Sequence, residues 1–424
     1  MENTTAALEI TSSQLKLVIG YVYEGKVVVL YSLTRPIQNI VEAGNIINQE
    51  ALINELKDIS HIKDSNVKLK IGFNEVVLVL PPLGLDVYET QKTTNVVATS
   101  GIIDRVDIYN VALQVMNEPI PYGNTLIDVV PERFLLDQGR QFIKPPLGEK
   151  TTTLTADELA YALPNKIVVG YRKALLAAGI KIKREFAAPY AAAELLDSYS
   201  DKRIENIYLN VEIGSKITTV SIINKNLCIG SSYFLKGGDD ITFDLMNTFG
   251  LSFTAAEKLK RRYGYCEEAF SFDLPVELEE ANDEYADFTM SEFNGVIKKN
   301  LDDFLYAFKN CVSCLFQNHG ENAENYENMP LIITGGGSRL IGLVAYLDKA
   351  LPKQKSIVTI VPTSLGARSQ SYINCLGAIL GSGICRGTLS ENKLDVTKVE
   401  RNVAPEQEKS TNKTNVEKDN HDEL

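Results

Sequence analysis

The sequence of 424 residues contains no run of about 18 apolar residues, so no segment is expected to span a bilayer. Its first residues, MENTTAALEI, lack the basic start and apolar core of a signal peptide. Six scattered cysteines are too few for a disulfide scaffold, which fits a reducing cytosol. Lys and Arg number 43 against 55 Asp and Glu, so a broad nucleic-acid-binding surface is not expected. These absences favour a cytoplasmic globular protein that does not bind nucleic acid.

The end of the chain differs in composition from the rest. Residues 386–424 include no aromatic side chain and show almost no apolar periodicity. Such a segment cannot bury enough apolar surface to offset its ordering entropy. We therefore expect residues 386–424 to form a disordered tail.

The same succession of apolar runs and polar turns occurs twice along the chain. Each copy has three runs joined by tight polar turns, which is the pattern of a three-stranded β-meander. The runs are residues 8–10, 15–23 and 26–33 in the first copy and 207–213, 218–223 and 227–234 in the second. The repetition predicts two related halves, each beginning with a meander.

Helical periodicity follows each meander. Residues 165–178 carry apolar side chains at helical spacing and stop at Gly179, a residue typical of helix C-termini. Residues 291–316 carry a longer apolar stripe, and Thr289 with Glu292 has the pattern of a capping box. A further stripe within residues 372–380 is interpreted as core. Strands mixed with helices in two repeats predict an α/β architecture.

The most informative segment is an apolar strand that ends in three glycines. Residues 330–334 are followed by Gly335, Gly336 and Gly337, and Ser338 is expected to cap a following helix. Glycines let the backbone approach an anionic or flat ligand closely, and a helix N-terminus offers N–H groups to it. Taken alone, the same pattern also fits a plain strand–helix turn.

Other motifs precede this triple-glycine corner. The first turn of each meander follows an acidic-Ile dipeptide, and a Gly-Gly-Asp-x-Ile-Thr segment and an Ala-Glu-x-Leu-Lys segment come after the second meander. The four motifs lie at residues 9–14, 212–216, 237–242 and 256–260. Each is weak alone, but in this order, and followed by residues 334–338, they resemble the FtsA cell-division family of the actin/Hsp70 ATPase superfamily. The matching order and spacing cover residues 8–382.

This resemblance implies an α/β, actin-like two-lobed fold with an SHS2-type inserted subdomain. Residues 127–137 and 145–148 are similar to the FtsA insert, which actin, MreB and Hsp70 lack and of which the pilus-assembly scaffold PilM has a related form. The implied divisions are a first lobe (1A) at 1–82 and 165–200, the insert (1C) at 83–164, a second-lobe core (2A) at 201–236 and 322–385, and a second-lobe subdomain (2B) at 237–321.

The resemblance also implies a site for ATP and Mg²⁺ in the cleft between the lobes. Carried over onto this sequence, the nucleotide-binding residues are Ser12, Ser13, Gln14, Glu212, Gly214, Ser215, Lys216, Gly238, Asp239, Glu257, Lys260, Gly335, Gly336, Gly337 and Ser338. Mg²⁺ is expected at Glu9 and Glu212, through a water, because each side chain is one methylene longer than the usual aspartate of the family. No catalytic residue is assigned.

Both phosphate loops depart from the family pattern. Thr11, Ser215 and Lys216 stand where the family has glycines, and Thr219 replaces a trailing carboxylate. The added Cβ atoms lie where the backbone should wrap the phosphates, although Lys216 offers them a point charge. We therefore expect nucleotide binding to be retained and the chain to be a weak ATPase at most.

The implied function is that of a cytoplasmic protein that self-associates into filaments and recruits the tubulin-like FtsZ to the division site, at the inner face of the cell membrane. Residues 417–424 lack the amphipathic helix with which FtsA proteins usually end, so membrane association is expected through a partner, through another surface or not at all. One alternative is a PilM-like, non-catalytic scaffold with a degenerate nucleotide site. Another, a sugar or acetate kinase, is disfavoured by the altered loops.

Overall fold

Strands and helices alternate along the chain in the computed structural model, which describes residues 4–60, 73, 75–199, 206–267, 274–277, 285–319 and 323–383. The predicted disordered tail lies outside the described residues. The strands are β1 (Thr5–Ile10), β2 (Gln14–Tyr23), β3 (Lys26–Pro36), β4 (Val41–Glu42), β5 (Asn45–Ile46), β6 (Glu75–Leu80), β7 (Asp86–Asn95), β8 (Asn124–Leu136), β9 (Gln141–Phe142), β10 (Thr153–Pro164), β11 (Lys181–Ala187), β12 (Ile207–Ile213), β13 (Thr218–Asn224), β14 (Leu227–Phe234), β15 (Pro275–Glu277), β16 (Tyr285–Thr289), β17 (Pro330–Thr334) and β18 (Ser356–Thr359). The helices are α1 (Gln49–Ser60), α2 (Arg105–Met116), α3 (Asn165–Ala177), α4 (Ala188–Ser198), α5 (Gly238–Phe249), α6 (Phe253–Tyr263), α7 (Met290–Asn318), α8 (Leu343–Ala350) and α9 (Ile373–Gly383).

Two five-stranded sheets share one strand order, and each forms the centre of a lobe. The first runs β3-β2-β1-β6-β11 and the second β14-β13-β12-β17-β18. In both, an antiparallel meander is extended by two strands that run parallel to its first strand. The predicted pair of related halves, each opening with a meander, is therefore confirmed.

The central strands are mostly apolar, as expected of strands covered on both faces of a sheet, and their few polar residues include Glu9 and Glu212 near the strand ends. Every residue of β17 is buried, as are all but the first of β1 and β6. Helix α9 packs on β1, β2 and α4, so the last described helix returns to the first lobe. Its Cys375, Leu376 and Ile379 are buried there, as the apolar stripe predicts.

Helix α7 supplies much of the core of the second lobe. Its buried stripe includes Phe293, Ile297 and Phe308. Its predicted capping box is present: Glu292 N donates to Thr289 Oγ1 at 3.3 Å, and Thr289 N donates to Glu292 Oε2 at 2.9 Å. Within the described part of the chain, no helix has the length and apolarity needed to cross a bilayer.

A separate four-stranded sheet, β7-β10-β8-β9, is inserted between β6 and α3 and is covered by α2. This is the SHS2-type insert that the resemblance implies. A buried ion pair ties it to the first lobe: Arg184 Nη2 of β11 donates to Asp128 Oδ2 of β8 at 2.7 Å, and Arg184 Nη1 donates to the carbonyl of Gly381 at 3.1 Å. The insert is thus anchored through the same sheet that carries the first phosphate loop.

Candidate nucleotide-binding cleft

A cavity of about 420 Å³ lies between the two lobes. Its walls come from the turn after β1, the turn after β12, the start of α5, one face of α6 and the triple-glycine corner after β17. Most predicted site residues line it: Ser13, Gln14, Glu212, Gly214, Ser215, Gly238, Asp239, Glu257, Lys260, Gly335, Gly336 and Gly337. The predicted residues Glu9, Ser12, Lys216 and Ser338 do not line it.

The first loop is a closed turn that needs no glycine. Thr11 N donates to the carbonyl of Gln14 at 2.8 Å, and Gln14 N donates back to Thr11 Oγ1 at 3.1 Å. Thr11 is not among the residues with positive φ, so the side chain that departs from the family pattern adds no backbone strain. Ser12 turns away from the cavity, because its hydroxyl accepts a hydrogen bond from Ala43 N at 2.9 Å.

The second loop packs directly against the start of α5. Gly238 N donates to the carbonyl of Gly214 at 2.9 Å, and Asp239 N donates to the carbonyl of Ser215 at 2.8 Å. A Cβ at Gly237 would lie 2.4 Å from the carbonyl oxygen of Ser215, so only glycine fits there. The N–H groups of Gly238 and Asp239 are therefore committed to the loop rather than to a ligand.

Lys216 points across the cleft instead of into it. Its ammonium lies 3.2 Å from Glu42 Oε1, on β4 of the first lobe. Because both side chains are partly exposed, this pair contributes little stability. It nevertheless joins the second loop of one lobe to the other lobe at the mouth of the cleft.

The wall formed by α5 and α6 is a hydrogen-bonded cluster. Lys260 Nζ lies 2.5 Å from Glu257 Oε2 and donates to the carbonyl of Gly238 at 2.8 Å, and Thr242 Oγ1 donates to Glu257 Oε2 at 2.7 Å. Burial acts to raise the pKa of Glu257, but the Lys260 ammonium and the hydrogen bonds outweigh it and hold that pKa below its usual value. Burial raises the pKa of Asp239 against the opposing charge of Lys260.

The triple-glycine corner sits against the second loop because β17 pairs with β12 in parallel, placing Thr334 opposite Glu212. Gly335 has φ +80°, and a Cβ there would lie 2.5 Å from the carbonyl oxygen of Ile213. A Cβ at Gly337 would lie 2.3 Å from Ile213 Cγ2. Gly335 and Gly337 therefore allow the triple-glycine corner to approach the second loop closely, whereas the sequence prediction assigned their close approach to a ligand.

The predicted capping role of Ser338 is wrong. Ser338 lies inside a 3₁₀ turn, Gly336–Arg339, and its hydroxyl donates to the carbonyl of Gly335 at 2.7 Å. Helix α8 begins only at Leu343, with Gly342 at its N-cap. The tight turn therefore separates the glycine corner from the helix, although Leu343, the first residue of α8, still borders the cavity.

Two carboxylates, one buried (Glu9) and one half-buried (Glu212), meet at the floor of the cleft. Each is the penultimate residue of its strand, and one amide nitrogen, Asn374 Nδ2 of α9, donates to Glu9 Oε1 at 2.8 Å and to Glu212 Oε1 at 2.7 Å. Lys16 Nζ donates to Glu9 Oε2 at 2.9 Å and to the carbonyl of Ser371 at 2.7 Å. The strands that lead into the two predicted phosphate loops are thus joined through Asn374 of α9.

The charged side chains at the floor of the cleft shift one another's pKa values. Burial raises the pKa of Glu212 to about 7, and the charge of Glu9 adds to the effect while Lys16 and Asn374 oppose it. Burial acts to lower the pKa of Lys16, but the Glu9 carboxylate outweighs it and holds the pKa of Lys16 above its usual value. Lys16 is therefore a charged ammonium at neutral pH, and it borders the cavity.

The sequence prediction of the site lacked Lys16 and Asn374. Lys16 had a usable signal, since a tight turn after β1 places it opposite Glu9 in the β1–β2 register. Asn374 is a polar residue inside an otherwise apolar helical stripe, which marks a buried hydrogen-bonding role but not its partners.

The repeated sheet order, the cleft between the lobes and the two loops that meet there define a protein with the actin-like fold. A solved structure described as the PilM-PilN type IV pilus biogenesis complex has a TM-score of 0.59 to this chain at 18% identity, covering 89% of this chain and 98% of that one. At this identity the likeness shows the fold alone.

Within this fold class the sequence similarity is to FtsA. The family model for cell division protein FtsA matches residues 209–377. The cell division protein FtsA of Staphylococcus epidermidis is 21% identical over 392 residues, which are 90% of this chain and 79% of that protein. That of Enterococcus hirae is 25% identical over 355 residues, 80% of this chain and 77% of that protein. The chain is thus similar to FtsA over most of its length, and the resemblance read from its motifs is confirmed.

Proposed function

We propose that this chain is an FtsA-like cell-division protein that binds ATP in the cleft between its lobes. One observation supports ATP as the ligand. Both predicted phosphate-loop turns and the triple-glycine corner border a single cavity of about 420 Å³, a volume within the usual range for small-molecule sites. The relatives that match over most of the chain are cell division proteins. Their similarity supports the cellular role.

The proposed nucleotide contacts are the predicted residues that border the cavity. Ser13 and Gln14 lie on the first-lobe side, whereas Gly214, Ser215 and the triple-glycine corner lie on the second-lobe side. Lys216 and Ser12 make no direct contact with the nucleotide in this proposal, because their polar groups bind Glu42 and Ala43. They stabilise the two loops instead. The domain limits given by the resemblance, with residues 83–164 as the insert, are part of the same proposal.

We expect little or no hydrolysis. The family pattern implies a carboxylate beside the phosphates in each loop. Here both carboxylates accept hydrogen bonds from Asn374, and Glu9 also pairs with Lys16. Groups held in this way are poorly placed to act on an attacking water. Steady ATP turnover of about 1 s⁻¹ that disappears in Glu212→Ala would contradict the proposal.

A steric variant tests the nucleotide site. Gly336 borders the cavity, a Cβ atom added there meets no protein atom within 4 Å, and its φ is not positive. Gly336→Val should therefore fold normally and fill space that the ligand needs. The matched control is Gly295→Val on α7, which also meets no neighbouring atom and does not border the cavity.

Isothermal titration with ATP and Mg²⁺ measures the effect. We expect heat of binding from the wild type and the control at about 1 mM ATP or below, and at least about tenfold weaker binding in Gly336→Val. No binding by the wild type, or equal binding by all three proteins, contradicts an ATP site at this corner.

The partner roles extend the proposal. An FtsA-like protein would bind an FtsZ-like partner, self-associate into filaments and reach the inner face of the cell membrane at the division site through a partner. Co-sedimentation tests each part: with tubulin-like polymers, alone in the presence of ATP, and with vesicles of anionic lipid. Pelleting with the polymers but not with vesicles is the expected result, and strong vesicle binding by the isolated chain contradicts attachment through a partner.

A further inference from the structure

The arrangement at the floor of the cleft does not fit the Mg²⁺ position that the family pattern implies. Mg²⁺ takes oxygen ligands in near-octahedral geometry at about 2.0–2.1 Å. Here both Glu9 oxygens and Glu212 Oε1 already accept hydrogen bonds from protein donors. An amide nitrogen lies between the two carboxylates where a cation would bind, and an ammonium group pairs with Glu9 beside it.

The orientation of Asn374 follows from its partners. Glu9 pairs with the Lys16 ammonium as a carboxylate and can only accept a hydrogen bond, so the amide presents its NH₂ group rather than its oxygen to Glu9, and the same nitrogen reaches Glu212 Oε1. The side chain therefore repels a metal ion at this position instead of coordinating it. At 3% exposure, Asn374 has little room to turn away.

Lys16 supplies positive charge at the same place. Its side chain is 7% exposed and reaches Glu9 across the β1–β2 pair. Two of its three N–H groups have acceptors, Glu9 Oε2 and the carbonyl of Ser371. The Ser371 carbonyl stands just before α9, so the ammonium is fixed from both the strand and the helix side.

We propose that Lys16, paired with Glu9, and Asn374, held between Glu9 and Glu212, together take the place of a divalent cation, so that this cleft binds nucleotide without requiring Mg²⁺. The inference about nucleotide rests on the proposed function. The inference about the cation does not, because the carboxylate pair can be probed by a metal ion alone. The experiment therefore has one arm without nucleotide and one with it.

The first arm titrates Mn²⁺ into the full chain without nucleotide and follows the free-ion signal by electron paramagnetic resonance. We expect the wild type to bind no Mn²⁺ at the carboxylate pair, so Glu212→Gln should leave its Mn²⁺ binding unchanged. We expect Lys16→Met/Asn374→Ala, which removes both the ammonium group and the amide NH₂ group, to gain a site at least about tenfold tighter than any in the wild type, and we expect the further change Glu212→Gln to abolish it. Lys26→Met, which removes an exposed lysine of β3, is the matched control and should gain none.

A wild-type Mn²⁺ site that Glu212→Gln abolishes overturns the proposal. So does a Lys16→Met/Asn374→Ala protein that folds, by its circular dichroism, and still binds no Mn²⁺. If this variant fails to fold, the wild-type comparison with Glu212→Gln still decides the question, because it needs no change at Lys16 or Asn374.

The second arm measures the affinity of the wild type for ATP with excess Mg²⁺ and with excess EDTA. The proposal predicts dissociation constants that agree within about threefold, and a loss of more than about tenfold in EDTA overturns it. Absence of ATP binding under both conditions refutes the proposed function instead, and the Mn²⁺ arm then stands alone as the test of the built-in cation.

Discussion

Glu158 of the insert provides a prediction whose magnitude follows from the structure. The residue lies on β10 opposite Thr90 of β7, on the face it shares with Ala156 and Ala160, which pack in the apolar clusters under α2. It is 2% exposed, and among the described residues neither of its carboxylate oxygens has a hydrogen-bond partner. Burial raises the pKa of Glu158 to about 8, against a weaker opposing effect of Lys92.

The sign of the pH dependence follows from that shift. The usual pKa of this carboxyl is 4.5, so the folded state keeps the proton in a range where the unfolded chain has lost it. Stability from the protonated group is complete below about pH 4.5 and is lost as the pH rises toward about 8. At pH 7 the loss amounts to about 3 kcal/mol.

Glu158→Gln removes the ionisation while keeping the shape of the side chain. Its amide still lacks partners, which costs about 1–3 kcal/mol at every pH. The free energy of unfolding of the variant relative to the wild type should therefore increase by about 2–3 kcal/mol between pH 5 and pH 7.

Urea unfolding at both pH values, followed by hydrogen exchange of peptides from α2 and β10, measures this difference. Glu132→Gln, an exposed glutamate on β8, is the matched control and should show no pH-dependent gain. A Glu158→Gln protein whose stability changes with pH in parallel with the wild type refutes the assignment of a buried, neutral carboxyl.

Three further substitutions test other contacts. Asp128→Ala leaves the buried Arg184 without its carboxylate and should lower the free energy of unfolding by about 3–5 kcal/mol in urea titration, whereas a loss below about 1 kcal/mol contradicts a buried pair. Gly337→Ala places a Cβ against Ile213 and should lower the melting temperature and weaken ATP binding together; unchanged values of both exclude the close approach. Thr289→Ala removes the N-cap of α7 and should cost about 1 kcal/mol, with faster amide exchange confined to the first turn of the helix.

Much of the fold could be predicted because it depends on local patterns. Apolar runs separated by Glu24-Gly25 and by Asn224-Lys225-Asn226 indicate hairpins, and the observed strands match the predicted runs within a few residues. The long stripe of α7 and its capping box are equally local. Parallel pairing of β17 with β12 is not local, yet the glycines at its end indicate that something must approach closely there.

The chemistry of the cleft floor was less accessible from sequence. Asn374 contacts Glu9 and Glu212 only because α9 crosses back from the second lobe to the first, and no local pattern encodes that path. Ser338 was misassigned because a serine after glycines fits a helix cap and a 3₁₀ turn equally well. Glu158 breaks the alternation of apolar residues on β10, but its lack of partners depends on how α2 covers the sheet.

Hydrogen exchange with and without ATP tests the central claim of a nucleotide cleft most directly. The account predicts that ATP slows exchange together in three separate segments, residues 10–15, 212–217 and 334–340, and that Gly336→Val abolishes all three effects. Protection in only one lobe, or protection that persists in Gly336→Val, would contradict a nucleotide held between the lobes at the triple-glycine corner.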